Sequence, residues 1–202
     1  MRKPLLICVG GLLACAGCQE HHLAYAPSPA YFAHSSTLKP GTIPYPKANL
    51  IVSGTPIDVK VVRTVEKDSV MVKLISNGES VETENYTSDE SSFKLVSAAG
   101  ETYDPPLPLV QFPFHLGKTW EWSGHMVCGE ARRSASAFIS TVPDKINLPN
   151  ANYNDAVKVN VNLTILTVSG GQANRMLDFW FVKDVGMVKR DFNACSTRLP
   201  GN

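Results

Sequence analysis

The stretch DAVKVNVNLTIL, residues 155–166, sets Val157, Val159, Val161 and Leu163 against Lys158, Asn160 and Asn162 in strict alternation. Successive side chains on a strand point to opposite faces, so a period of two writes one apolar face and one wetted face. Wound as a helix, the same residues would scatter their valines around the whole circumference. The pattern recurs as Ile57, Val59 and Val61, then as Val70, Val72 and Leu74, with the polar turn Glu66-Lys67-Asp68 between them. Asn77-Gly78 supplies the residues that tolerate positive φ in a tight hairpin. Further strands are expected at Ser80 to Tyr86, Ser92 to Ala98 and SASAFISTV, at NRMLDFWFV after the turn Gly170-Gly171, and at MVKRDF after Lys183 to Gly186. No stretch offers an amphipathic helix of three turns, and no internal repeat is present. The expected fold is all-β: a single antiparallel curved sheet, half-barrel or sandwich, with one buried face.

The segment YDPPLPLVQFPFHLGKTWEWSG, residues 103–124, breaks this rhythm. Pro105, Pro106, Pro108 and Pro113 argue against an interior strand, because proline brings no donor to a ladder. Leu107, Leu109, Val110, Phe112 and Phe114 are too apolar for a free loop, so an extended arm laid over the open end or edge of the sheet is expected. It leads through Gly117-Lys118 into a strand, Thr119 to Ser123, on which Trp120 and Trp122 share a face. Such aromatics commonly belong to a core. With Phe112 and Phe114 they are also the candidates for a ligand or partner surface.

The chain begins with the charges Arg2 and Lys3 and an apolar run of about a dozen residues ending in Ala16-Gly17-Cys18. A bilayer span takes roughly 20 residues, so this run fits a cleaved targeting segment. The order of charge, apolar run and small-small-cysteine resembles the lipobox of bacterial lipoproteins. That resemblance implies cleavage before Cys18, lipidation of its thiol and acylation of its new amine. Position −3 is Cys15 where the family usually has Leu, and the alternative frame ending at Cys15 puts the bulky Leu13 at −2. An ordinary secretory cut after Ala26 would discard all three early cysteines. In enteric-type bacteria, the absence of Asp after either cysteine implies the outer membrane, with the domain facing the periplasm. Several acyl chains at about 0.8 kcal/mol per buried CH₂ make an effectively permanent anchor.

These features divide the chain into a signal peptide at 1–17, a lipidated cysteine with a Pro-rich tether at 18–50, and a β domain at 51–202. The tether carries Pro27, Pro29, Pro40, Pro44 and Pro46. His21, His22 and His34 lie in it without the Cys or carboxylate company a metal site needs. Removing Arg2 and Lys3 leaves the remaining basic residues nearly balanced against 18 acidic ones, so no nucleic-acid partner is expected. Once Cys8, Cys15 and Cys18 belong to export and anchoring, Cys128 and Cys195 remain as a pair in an oxidising compartment, and a disulfide is the expectation. The competing reading makes Cys128 an active thiol served by His125.

The residue sets that common reactions require are missing. There is no Gly-x-Ser-x-Gly elbow, no His-Glu-x-x-His and no phosphate loop, so no catalytic residue, metal or cofactor is expected. The series Gly117 with Trp120, Tyr153 with Asp155 to Val159, and Trp180-Phe181 with Val185 to Lys189 resembles a loose pattern in bacterial envelope lipoproteins of unknown function, where it recurs in a curved antiparallel sheet. Some of these proteins are similar in shape to periplasmic half-barrels that carry lipoproteins or lipids, although the helical lid of such carriers is missing here. The expected function is a membrane-anchored module that binds an envelope protein or component without catalysis. A carrier of a lipid or other hydrophobic ligand is the alternative, and a thiol enzyme using Cys128 is the third reading.

Overall fold

The computed structural model describes residues 41–44, 48–52, 55–148, 151–167, 169–182 and 185–193. They form twelve strands: β1 (Gly41–Pro44), β2 (Ala48–Val52), β3 (Thr55–Glu66), β4 (Ser69–Ser76), β5 (Glu79–Ser88), β6 (Ser92–Ala98), β7 (Glu101–Gln111), β8 (Thr119–Cys128), β9 (Ala131–Leu148), β10 (Ala151–Leu166), β11 (Gln172–Val182) and β12 (Gly186–Asn193). From β3 onward each strand pairs antiparallel with its sequence neighbours. This meander is what short polar turns between alternating segments produce. Lys67, Asn77 and Gly78 take positive φ in the first two turns, where Asn and Gly were expected to allow it. β1 and β2 share the outer edge of β3, one against Val62 to Val65 and the other against Thr55 to Val59.

Twist curls the sheet into a half-barrel whose two halves face each other across a common core. Tyr86, Phe93 and Leu95 come from the first half, and Leu177, Phe179 and Phe181 from the second. Phe93 meets Phe181 edge to face at 5.9 Å between ring centroids. Each fully buried side chain of this size contributes roughly 1.5–3 kcal/mol relative to exposure. Arg190 on β12 reaches across to Glu84 and Glu82 on β5, so charge as well as apolar surface joins the halves.

Three features depart from the sequence expectations. The first described strand starts at Gly41, inside the segment assigned to the tether. An edge strand pairs on one side only, and there Pro44 costs no ladder bond. The proline arm is β7 itself, a strand between β6 and β8. Its ladder with β8 runs only from Glu101 to Asp104 and stops at Pro105, while Leu107 and Val110 stay paired with β6 across two register shifts. β9 runs past Pro143 to Leu148, and the end of the β9–β10 hairpin folds a second apolar cluster onto the outer face. Ile146, Ala156, Trp180 and Val182 are buried there, and the Trp180 indole N–H donates to Asp144 Oδ2 at 2.7 Å. The outer face is therefore wetted only away from this end.

Gly124 on β8 marks where β7 leaves the ladder. A Cβ on it would lie 2.5 Å from the Asp104 carbonyl oxygen and 2.8 Å from Pro105 Cδ. Gly124→Ala is expected to lower the unfolding free energy by about 1–3 kcal/mol, since backbone must move to admit the methyl group. Urea unfolding checks this, and an unchanged midpoint would mean that β7 shifts freely.

Candidate binding surface

The four aromatics proposed as a ligand or partner surface do not form one. Trp120, Trp122 and Phe114 are buried in the main core, and Phe112 packs against it half-buried. Their work is to hold β7. The Trp120 indole N–H donates to the Pro108 carbonyl at 2.9 Å, and that of Trp122 to the Pro105 carbonyl at 3.1 Å. Two side-chain donors from β8 thus stand in where the backbone ladder has ended. Tyr103 meets Trp122 edge to face at 6.2 Å.

Cys128 ends β8 exposed to solvent, and its expected partner Cys195 lies outside the described residues, as do Cys15 and Cys18. His125 does not serve Cys128. Residues three apart on a strand face opposite ways, and Arg132 links His125 Nδ1 at 3.2 Å and Asp104 at 2.9 Å on one face of β7 and β8. The spacing that suggested an active thiol is separated by the pleat.

Inside the half-barrel, burial pushes the Glu84 carboxyl up to about 7, against the pull of the Arg190 guanidinium beside it. Tyr86 donates its phenolic proton to Glu84 at 2.8 Å, and burial together with the Glu84 charge raises the phenol's own pKa well above its ordinary value. At the other end Arg175 on β11 holds Glu101 on β7, at 2.6 Å from Oε2. Both ion pairs span the interior, and both fasten one half of the sheet to the other. Alternation had not revealed these charges as inward. Glu82 and Glu84 occupy the core-facing parity of β5, a choice that single-strand polarity hides.

The outer face carries an open groove. Cross-strand register aligns Glu121, Phe138, Asn162 and Met176 in one row across β8 to β11, and Ser123, Ser136, Thr164 and Asn174 in the next. A concavity of about 420 Å³ lies over these rows between β8 and β10. A second, of about 180 Å³, continues it past Ser134, Leu166 and Gln172. Ser134 and Ser136 are the short side chains that make β9 the floor. Phe138 is 46% exposed and Met176 49%, although both sit mid-strand. Sequence reading placed Phe138 and Met176 on expected strands without assigning them a face, and set only Asn162 on the wetted side.

A scan against protein-family models, a search of the curated proteins and a search of the solved structures each returned no match. Any functional reading of the chain therefore rests on its fold, its groove and its N-terminal sequence.

Proposed function

We propose that the chain is a bacterial envelope lipoprotein, lipidated at Cys18, whose β domain is a non-catalytic binding module held at the membrane, facing the periplasm from the outer membrane. The observation that carries this reading is the N-terminal order: two cations, a short apolar run, then Ala16-Gly17-Cys18 and a Pro-rich stretch. The fold supports the binding role, because the described interior is filled by its own side chains while the outer face offers a groove. The partner would be an envelope component, and no nucleic acid is involved.

The curled sheet also supports a second reading, a carrier of a hydrophobic ligand. An acyl chain would then have to displace residues such as Leu95, Leu107 and Phe179, each fully buried. Organic extraction and mass spectrometry of the purified chain should recover a bound lipid if that is so.

The Cys128–Cys195 disulfide belongs to the proposal, resting on the two cysteines that remain once Cys8, Cys15 and Cys18 are assigned to export and anchoring. Intact mass of the protein extracted from membranes tests both parts. The expected mass starts at Cys18 with added acyl chains and rises by about two protons on reduction. A mass starting at Pro27 without lipid would remove the anchor, and an unchanged mass on reduction would remove the disulfide.

A further inference from the structure

From the shape and composition of one end of the half-barrel we infer that the β2–β3 hairpin seats its apolar tip in the interface of the bilayer to which the chain is anchored. The inference rests on the lipoprotein reading and deepens it by naming the part of the domain that meets the membrane. The cross-strand pairs nearest the hairpin's turn are Val52 with Thr55, Ile51 with Pro56 and Leu50 with Ile57, and the next is Asn49 with Asp58. Apolar residues thus dominate the hairpin up to a polar pair that marks where they stop. Three pairs at about 3.4 Å per residue make a tip about 10 Å tall. An interfacial segment enters a bilayer by about 5–10 Å, so the tip matches that depth.

Thr55, Pro56, Ile57 and Asp58 are all exposed, whereas Val59, on the same face of β3 as Ile57, is 2% exposed. Sheet support explains the contrast. The ladder of β3 with β4 begins at Lys60, and β1 pairs with Val62 to Val65, so among the described residues the tip is a ribbon of two strands. Such a ribbon is marginal in water and gains from an apolar surface to rest on. The backbone groups that β3 turns away from β2 along this stretch have no ladder partner among the described residues. The hydrated interface can satisfy them and hydrocarbon cannot, so the hairpin seats in the interface and does not span.

Charge chooses between the two ends of the domain. A meander sends alternate turns to opposite ends. The end shared by this hairpin holds the turns Asn77-Gly78, Ala99-Gly100, Gly129-Glu130 and Gly170-Gly171, with Val81 50% exposed and Leu166 45% beside them. The opposite end holds Glu66-Lys67-Asp68 and Asp89-Glu90, all exposed, and a surface of anionic lipid repels that excess of carboxylates. The position of the anchor permits the orientation. Gly41 pairs with Val65, and the strand from there to Thr55 measures about 34 Å. Residues 19–40 can span at most about 75 Å, more than twice that length, so Cys18 can stand beneath the hairpin. With the domain held at the surface, insertion is an intramolecular step, and a small apolar tip is enough to favour it.

The test uses the full lipidated chain in vesicles of phosphatidylethanolamine and phosphatidylglycerol with bromine on their acyl chains, which quenches a nearby indole. Ile57→Trp is compared with Phe138→Trp, mid-strand on the outer face of β9. Trp120, Trp122 and Trp180 are buried, and the wild type supplies their background. The expected result is about two-fold quenching at position 57 and none at position 138. Pro56→Asp added to Ile57→Trp should abolish the quenching, because it sets a charge where the tip enters, at an exposed position that leaves the fold intact. Equal quenching at both positions, or quenching at 57 that survives Pro56→Asp, overturns the inference. A lipidated chain that floats with the vesicles while position 57 stays unquenched overturns the hairpin seat and keeps the anchor, whereas an unlipidated chain that stays in solution sinks the parent reading. A photo-crosslinking amino acid at position 57 in intact envelopes should give lipid adducts. Protein adducts alone would make the tip a contact with a partner protein or a second copy and overturn the membrane seat.

Discussion

Raising the pH from about 5 to about 8 lowers the unfolding free energy of this protein by about 3 kcal/mol, and Glu84→Gln removes the effect. The Glu84 carboxyl ionises near 4.5 when free in the unfolded chain and near 7 when folded. Between those values the folded state binds the extra proton, so stability is full below the lower one and is lost as pH rises through the upper one. Burial is the leading cause: Glu84 is fully shielded among core residues, and Arg190 only partly offsets the loss of water. Groups from several strands face it. Glu82 and Tyr86 flank it on β5, Arg63 lies across Val72 of β4 on the same face, and Arg190 approaches from β12. Asp89 and Asp144 have depressed pKa values, so their contributions are lost only as pH falls below about 4, outside this window. Urea unfolding at a series of pH values checks the result. A flat wild-type profile would mean that Arg190 keeps Glu84 ionised throughout.

Trp122→Ala and Trp120→Ala are each expected to cost about 3–5 kcal/mol, because each empties a buried site and frees β7. The phenylalanine variants separate packing from hydrogen bonding. They keep a ring in the core and lose only the donor to Pro105 or Pro108, at an expected cost of about 1–3 kcal/mol. Amide exchange at Leu107 and Leu109 should accelerate in both phenylalanine variants, since these residues ride on the strand segment the indoles hold. Unchanged exchange and stability would show that core packing alone keeps the proline strand in place.

The class of the fold is legible because alternation is a local property. Val157, Val159 and Val161 announce a strand wherever the chain goes, and Asn77-Gly78 announces a hairpin. Proline does break the ladder as its chemistry implies, but the break is one-sided. β7 keeps its place through its ladder with β6, and on the broken side Trp120 and Trp122, a dozen or more residues later, donate to its carbonyls. The same long-range link explains why the aromatics are core and not surface. Around the groove, alternation puts Ser134, Ser136 and Asn162 on the outward parity but offers no reason to connect them. Their adjacency is a matter of register between two strands, β9 and β10.

The chain's own letters determined that it makes an antiparallel sheet with one apolar face, since side-chain period and turn chemistry act over a few residues. Its N-terminal order likewise reads from local charge and apolarity. Only the tertiary structure decided what the inward face contains. Glu84 on β5 looks like an ordinary wetted residue until the sheet curls and brings Arg190 from β12 against it. Curvature sums a small twist at every strand pair, so the meeting of residues 106 positions apart is a property of the closed sheet and is written in neither strand alone.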